Sequence, residues 1–279
     1  MQPLAITRRA VILASALALV AAAPVPVRID GYVATQRITS GSEPPMTLKI
    51  KVAQGKVRVE MSGGPQGGMP EGMFILLNPD GKVTAVMPTQ GMAMMMDAGQ
   101  LASGGMGDIA RMMGMGEPSV SDISVNVTDL GAGEAMLGFA TRKYRVRQQY
   151  TMTTSMRGQS RTEKHDDVSE LWMTTSMPGF TEGLEKFAEN FGNAFGGAGQ
   201  GASKELAAAM AGKIPKGYPL RTIVTSNTTI GDSPARTMTT TLDVLDVTKT
   251  SIDAAEFEVP AGIQVIDPAA MMRGRGRGQ

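Results

Sequence analysis

Apolar and polar side chains alternate along most of the chain between Met46 and Val247. From Lys143 to Met156, Tyr144, Val146, Tyr150, Met152 and Met156 share one parity, while Lys143, Arg145, Arg147, Gln149, Thr151 and Thr153 share the other. Successive strand side chains point to opposite faces, so this period of two predicts a sheet with one apolar and one wetted side. The same pattern predicts strands over Arg28 to Thr39, Met46 to Val52, Lys56 to Met61, Met73 to Leu77 and Lys82 to Met87. It resumes over Ser121 to Asp129, Ala135 to Met156, Arg161 to Thr174, Tyr218 to Ile230 and Arg236 to Lys249, with a short extended piece at Glu256 to Val259. Gln54-Gly55 and Asn78-Pro79-Asp80-Gly81 are turn sequences.

Two segments read as helix. In Thr181 to Phe195, Leu184, Phe187, Ala188, Phe191 and Phe195 form one stripe, with Thr181 as N-cap and Gly196-Gly197 as the stop. Ser203 to Ala211 is Ala-rich and closes on Gly212. Pro88 to Pro118 breaks the strand rhythm with Met92, Met94, Met95, Met96, Met106, Met112, Met113 and Met115 among many glycines. It reads as an insertion with a weak helix over Leu101 to Met113, because each glycine costs about 1 kcal/mol relative to Ala.

The expected fold class is therefore mainly β with a few helices: a curved antiparallel sheet forming an incomplete barrel, with two short helices on its concave side. About ten strands at roughly 4.8 Å span about 48 Å when flat, whereas two helices cover only about 20 Å. Twist must close the remainder into a trough. A trough too wide for its own side chains to fill leaves an apolar cavity, the usual form of a ligand site.

The ends and the composition narrow the setting. Arg8 and Arg9, the apolar stretch Ala10 to Ala23 and the small residues Ala21-Ala22-Ala23 read as an export signal over residues 1–22, cut after Ala22. Thr7-Arg8-Arg9-Ala10-Val11-Ile12 also partly matches a twin-arginine signal. The apolar stretch spans only about 21 Å as helix, against a hydrocarbon core of about 30 Å. With no cysteine there is neither disulfide nor acylation site, so a soluble periplasmic or secreted protein is expected. A net charge of +1 speaks against nucleic acid as a partner. The one domain is expected over residues 28–262, its Met/Gly-rich insertion at 88–118 included, with 263–279 a disordered Arg-Gly tail.

Candidate chemistry is thin. His165 is the only histidine, and with Asp166 and Asp167 beside it a Ser-His-Asp system comes to mind. It falls in the polar stretch Gln159 to Asp167, which reads as an exposed turn. No catalytic residues are assigned, no cofactor is expected, and the spacing of a His/Cys zinc site is absent. The methionines are the one anomaly: Met92, Met94, Met95 and Met96 are soft thioethers suited to Cu(I), or adaptable apolar lining, or packing in place of Leu.

A succession of short motifs resembles a known group. Gly31-Tyr32 is followed by Lys56 to Met61 (Lys-Val-Arg-Val-Glu-Met), Ile75 to Lys82 (Ile-Leu-Leu-Asn-Pro-Asp-Gly-Lys) and Met136 to Tyr144 (Met-Leu-Gly-Phe-Ala-Thr-Arg-Lys-Tyr). Then come Glu170-Leu171-Trp172 and Phe257-Glu258-Val259-Pro260-Ala261-Gly262. The order resembles exported bacterial domains of unknown function related to the outer-membrane lipoprotein carrier (LolA/LolB-like) fold. That resemblance implies an incomplete barrel whose helices plug a concave apolar side, where relatives of known role carry acyl chains. The Met/Gly insertion and the missing acylated cysteine depart from it.

These readings converge on a non-enzymatic protein that binds a hydrophobic or lipid ligand through Leu48, Ile50, Val59, Leu76, Tyr144, Val146, Tyr150 and Met152. A Met-rich Cu(I) binder and an envelope scaffold with a filled core are the alternatives, the latter with a cell-envelope protein as partner.

Overall fold

The computed structural model describes residues 26–64, 71–97, 119–156, 159–177, 180–181, 204–213 and 215–267. Alternating segments become β1 (Arg28–Ser40), β2 (Met46–Ala53), β3 (Lys56–Gly63), β4 (Phe74–Leu77), β5 (Lys82–Met87), β6 (Met92–Asp97), β7 (Ser119–Ala132), β8 (Arg142–Met156) and β9 (Gln159–Thr174). After these come α1 (Lys204–Met210), β10 (Tyr218–Ile230), β11 (Arg236–Asp253) and β12 (Gln264–Ile266), with single 3-10 turns at Pro88–Gln90 and Ala254–Phe257. All the strands join one sheet, ordered β12-β6-β5-β4-β3-β2-β1-β11-β10-β9-β8-β7. The sheet is curved and not closed, and the protein is mainly β. Neighbours run antiparallel except for β12, which pairs parallel to β6.

Four expectations are corrected. Helices are fewer than the two foreseen: α1 is the one α-helix of more than two residues among the described residues, and the segment expected as helix after Thr181 lies outside them. The Met-rich stretch does not break the meander at Pro88, because Met92–Asp97 is a strand in register with β5; residues 98–118 lie outside the described set. Ala135 to Met156 is not one strand. Leu137 and Gly138, both with positive φ, form a two-residue turn whose flanking Met136 and Phe139 exchange backbone hydrogen bonds, as a tight hairpin requires. Finally, Glu256 sits in a 3-10 turn, and the expected tail begins with a strand, Gln264–Ile266.

Ladder partners share a face, so register defines the two sides of the sheet. One row crosses seven strands through Met46, Ile38, Leu242, Thr222, Leu171, Tyr144 and Asp129. We call this side the inner face. Its main cluster joins Ala34, Leu48, Ile50, Val52, Val57, Val59, Ile75, Leu77, Val83, Leu220 and Val244, capped by Met177 and Phe180. The Phe180 ring lies 5.8 Å from Tyr32 and edge-on to Tyr218 at 4.7 Å. Burial of such side chains supplies roughly 25 cal/mol per Å² of apolar surface.

The outer face of the first six strands is also covered. Asp253 caps the 3-10 turn by accepting from the Ala255 N–H, and Phe257 then packs against Ala53 and Ile252. Val259 and Ile263 continue onto Phe74, Leu76, Val86 and Ala93. Polar groups seal the seam. Lys51 Nζ donates to Glu60 at 3.0 Å and also to Glu256, while Arg58 lies 3.6 Å over the Phe74 ring. Burial alone pushes the Glu60 carboxyl up, but Lys51 and Arg58 together outweigh it and hold it below the usual range.

Candidate functional site

Seven of the eight side chains expected to line a ligand site share the inner face: Leu48, Ile50, Val59, Tyr144, Val146, Tyr150 and Met152. Five of them fall into two clusters. Leu48, Ile50 and Val59 lie inside the main cluster. Tyr150 and Met152 pack with Leu206 and Met210 of α1 and with Val120, Ile123 and Val125 of β7. Leu76 leaves the set. It pairs with Arg58, whose parity is outward, and is buried beneath Val259 and Ile263. Its strand is the continuous apolar run Phe74-Ile75-Leu76-Leu77, the signature of burial on both faces, so parity alone did not assign its side.

The methionines of β6 divide similarly. Met92 and Met94 pair with Met87 and Ala85, whereas Met95 pairs with Thr84 and has the opposite parity; Met96 occupies the position opposite Val83. Met92, Met94 and Met95 are therefore not on one face.

His165 is where the structure departs most from expectation. It is no turn residue: it lies within β9, paired with Tyr150 on one side and Thr228 on the other, and its side chain is only 13% exposed. Glu163, His165 and Asp167 alternate onto the inner face, with Ser226 and Thr228 beside them. Both parities of this stretch are polar, which in a sequence mimics a turn; the Glu-x-His-x-Asp spacing was the available signal.

The geometry of this cluster limits its chemistry. Thr228 Oγ1 lies 3.4 Å from His165 Nδ1, and Glu163 Oε2 lies 3.4 Å from Nε2. Both separations are longer than the about 2.6–3.2 Å typical of a nucleophile–base pair. His165 Nε2 and Asp167 Oδ1 are buried and make no hydrogen bond among the described residues. Burial pushes the Asp167 carboxyl up, against the pull of Ser226, His165 and Tyr150. Burial, and then the Asp167 charge, push the Tyr150 phenol up as well.

Two clefts stand out among the described residues. One, of about 250 Å³, is lined by Arg161, Thr228, Ile230, Ser233, Pro234 and Arg236 at the β9–β10–β11 tip. The other, of about 370 Å³, lies between the Glu134–Leu137 loop and Arg37, Arg221, Asp243 and Leu245. Neither is lined by Leu48, Ile50, Val59 or Val146. Beside the larger cleft the Lys143 ammonium lies 4.3 Å over the Trp172 ring, and Arg221 is held by Asp243 at 2.6 Å and Glu134 at 2.7 Å.

The profile of a family described as a domain of unknown function (DUF4412) matches residues 35–263. The chain belongs to that family. No curated protein matches it. The DUF4412 region runs from within β1 to the residue before β12, so it contains all of β11 and the end of β1 from Thr35, both clefts and the His165 cluster. No helix among the described residues is long and apolar enough to cross a membrane.

Proposed function

We propose that the protein is a non-enzymatic periplasmic binder of a hydrophobic, acyl-chain-like ligand held along the inner face. The observation that carries this reading is the gathering of Leu48, Ile50, Val59, Tyr144, Val146, Tyr150 and Met152 onto one face of a sheet that stays open. The resemblance to the LolA/LolB-like fold belongs to the same reading: an incomplete barrel with α1 packed on its inner face. The Arg8–Ala22 leader would deliver it to the periplasm, and a cell-envelope protein would load or unload it. No cofactor and no nucleic acid enter this account.

A second reading, an envelope scaffold with a filled core, is favoured by the tight burial of Leu48, Ile50 and Val59 in the main cluster. For the Cu(I) reading, Met92, Met94 and Met96 occupy positions of one parity on β6 and only Met95 has the other. Native mass spectrometry of protein taken from its own periplasm, followed by organic extraction, separates these. A stoichiometric lipid or fatty acid supports the binder. An empty protein sinks it, and with a flat Cu(I) titration the scaffold remains.

A further inference from the structure

One row of the inner face ends in positive charge. Tyr150, His165, Thr228 and Arg236 occupy consecutive ladder positions across β8, β9, β10 and β11. The adjacent row runs through Met152, Glu163 and Ile230. Arg161, four residues before His165, shares its parity and reaches the same end. There the 250 Å³ cleft opens, with two guanidiniums, the hydroxyls of Thr228 and Ser233, and an apolar wall of Ile230 and Pro234. The Ser233 N–H donates to the Ile230 carbonyl at 3.0 Å, and the Gly231 N–H donates to the Thr162 carbonyl, so the turn is tied to β9.

The charge balance of this lining is uneven. Arg161 spends a hydrogen bond on Glu163 at 2.7 Å, and Glu163 also faces His165. Arg236 has no ion pair among the described residues, and no carboxylate lines the cleft. Like charges sharing a cleft repel, and an oxyanion removes that repulsion by taking paired N–H bonds from each planar fork.

We infer that this cleft binds an oxyanion, a phosphate or carboxylate group, whose organic part runs onto the inner face past Ile230 and Met152. Taken as the head group of the acyl-chain ligand, the assignment rests on the function proposed above. As a bare anion site it does not.

The test is calorimetric titration of the full chain at low ionic strength with three probes: sodium phosphate, dodecyl phosphate and dodecanol. Arg236→Gln and Arg161→Gln are compared with Arg145→Gln, which removes an outward-facing arginine bonded to Glu170. The expected result is that each cleft variant weakens dodecyl phosphate binding by about tenfold or more, that Arg236→Lys recovers part of the loss, and that Arg145→Gln changes nothing. The same dependence for sodium phosphate would identify a free small anion as the ligand; dependence for dodecyl phosphate alone would identify a lipid-type head group. Binding of neither phosphate, or binding indifferent to both arginines, overturns the inference. Dodecanol bound as well as dodecyl phosphate would then leave the apolar reading standing. Phosphate binding that needs Arg236, with neither dodecyl probe bound, sinks the apolar reading and keeps the anion site. Near-ultraviolet circular dichroism confirms that each variant is folded.

Discussion

The Tyr150 ring stacks on the His165 imidazole, centroids 4.6 Å apart and planes within 6°. This pair joins β8 to β9 on the inner face and places the phenol 3.4 Å from Asp167. Burial and that neighbouring carboxylate both disfavour a tyrosinate. Tyr218, enclosed with Phe180 and Gln36, is pushed up by burial too. Because the folded phenols ionise later than unfolded ones, stability falls as pH rises past about 10, where only the unfolded chain releases those protons. An ultraviolet titration of the four tyrosines should therefore show fewer than four ionising before the fold is lost. Four ionising with unchanged circular dichroism would refute the burial of this pair.

Asp167 bears a consequence of the same sign at lower pH. Its folded carboxyl is raised by burial, so the folded state holds a proton that the unfolded chain gives up near pH 3.9. Stability then falls as pH rises from that value through the raised one. Asp167→Asn should remove the fall, giving a higher Tm at pH 7 and no gain below the ordinary carboxylate range. A lower Tm at pH 7 would show that the ionised carboxylate is a stabilising partner, contrary to the geometry.

What the sequence disclosed follows from where its alternation is clean. β2, β3 and the inward side of β8 alternate apolar with polar, and their faces came out as read. Where both faces are buried, as in β4, or both polar, as in Arg161 to Asp167, parity carries no side, and the reading lost Leu76 and His165. β12 was hidden for a different reason. Three residues are too short for any period, and only the edge of β6 makes them a strand.

Tyr218→Phe tests the centre of the main cluster. Gln36 donates its side-chain N–H to the Tyr218 hydroxyl, and both residues are buried. Removing the hydroxyl strands the Gln36 amide, and an unsatisfied buried donor costs about 1–3 kcal/mol. Urea denaturation should show a loss of that size; a neutral result would mean that Gln36 finds another acceptor.

Gly31→Ala probes the close approach of β1 to its neighbours. A Cβ there would run into the Val52 carbonyl oxygen and come within 2.8 Å of Ala53 Cβ and 2.9 Å of Ile252 Cδ1. Backbone cannot rotate away as a side chain can, so strands must part. A destabilisation of about 1–3 kcal/mol is expected from denaturant midpoints. Gly41→Ala has open space around it and serves to compare strain from its positive φ alone.

The pairing of β1 with β11 has a bearing on when the molecule can form at all. Arg28 lies opposite Asp253, and every rung of that ladder joins residues about as far apart as the sheet permits. The left and right halves of the sheet are hydrogen-bonded to each other only along this seam among the described strands, so a chain emerging from a ribosome holds two unfinished sheet edges until β11 arrives. Contacts this remote are slow to find. Fragments stopped before Asp253 would stay open and adhesive, and a growing chain would need shielding until β11 had emerged.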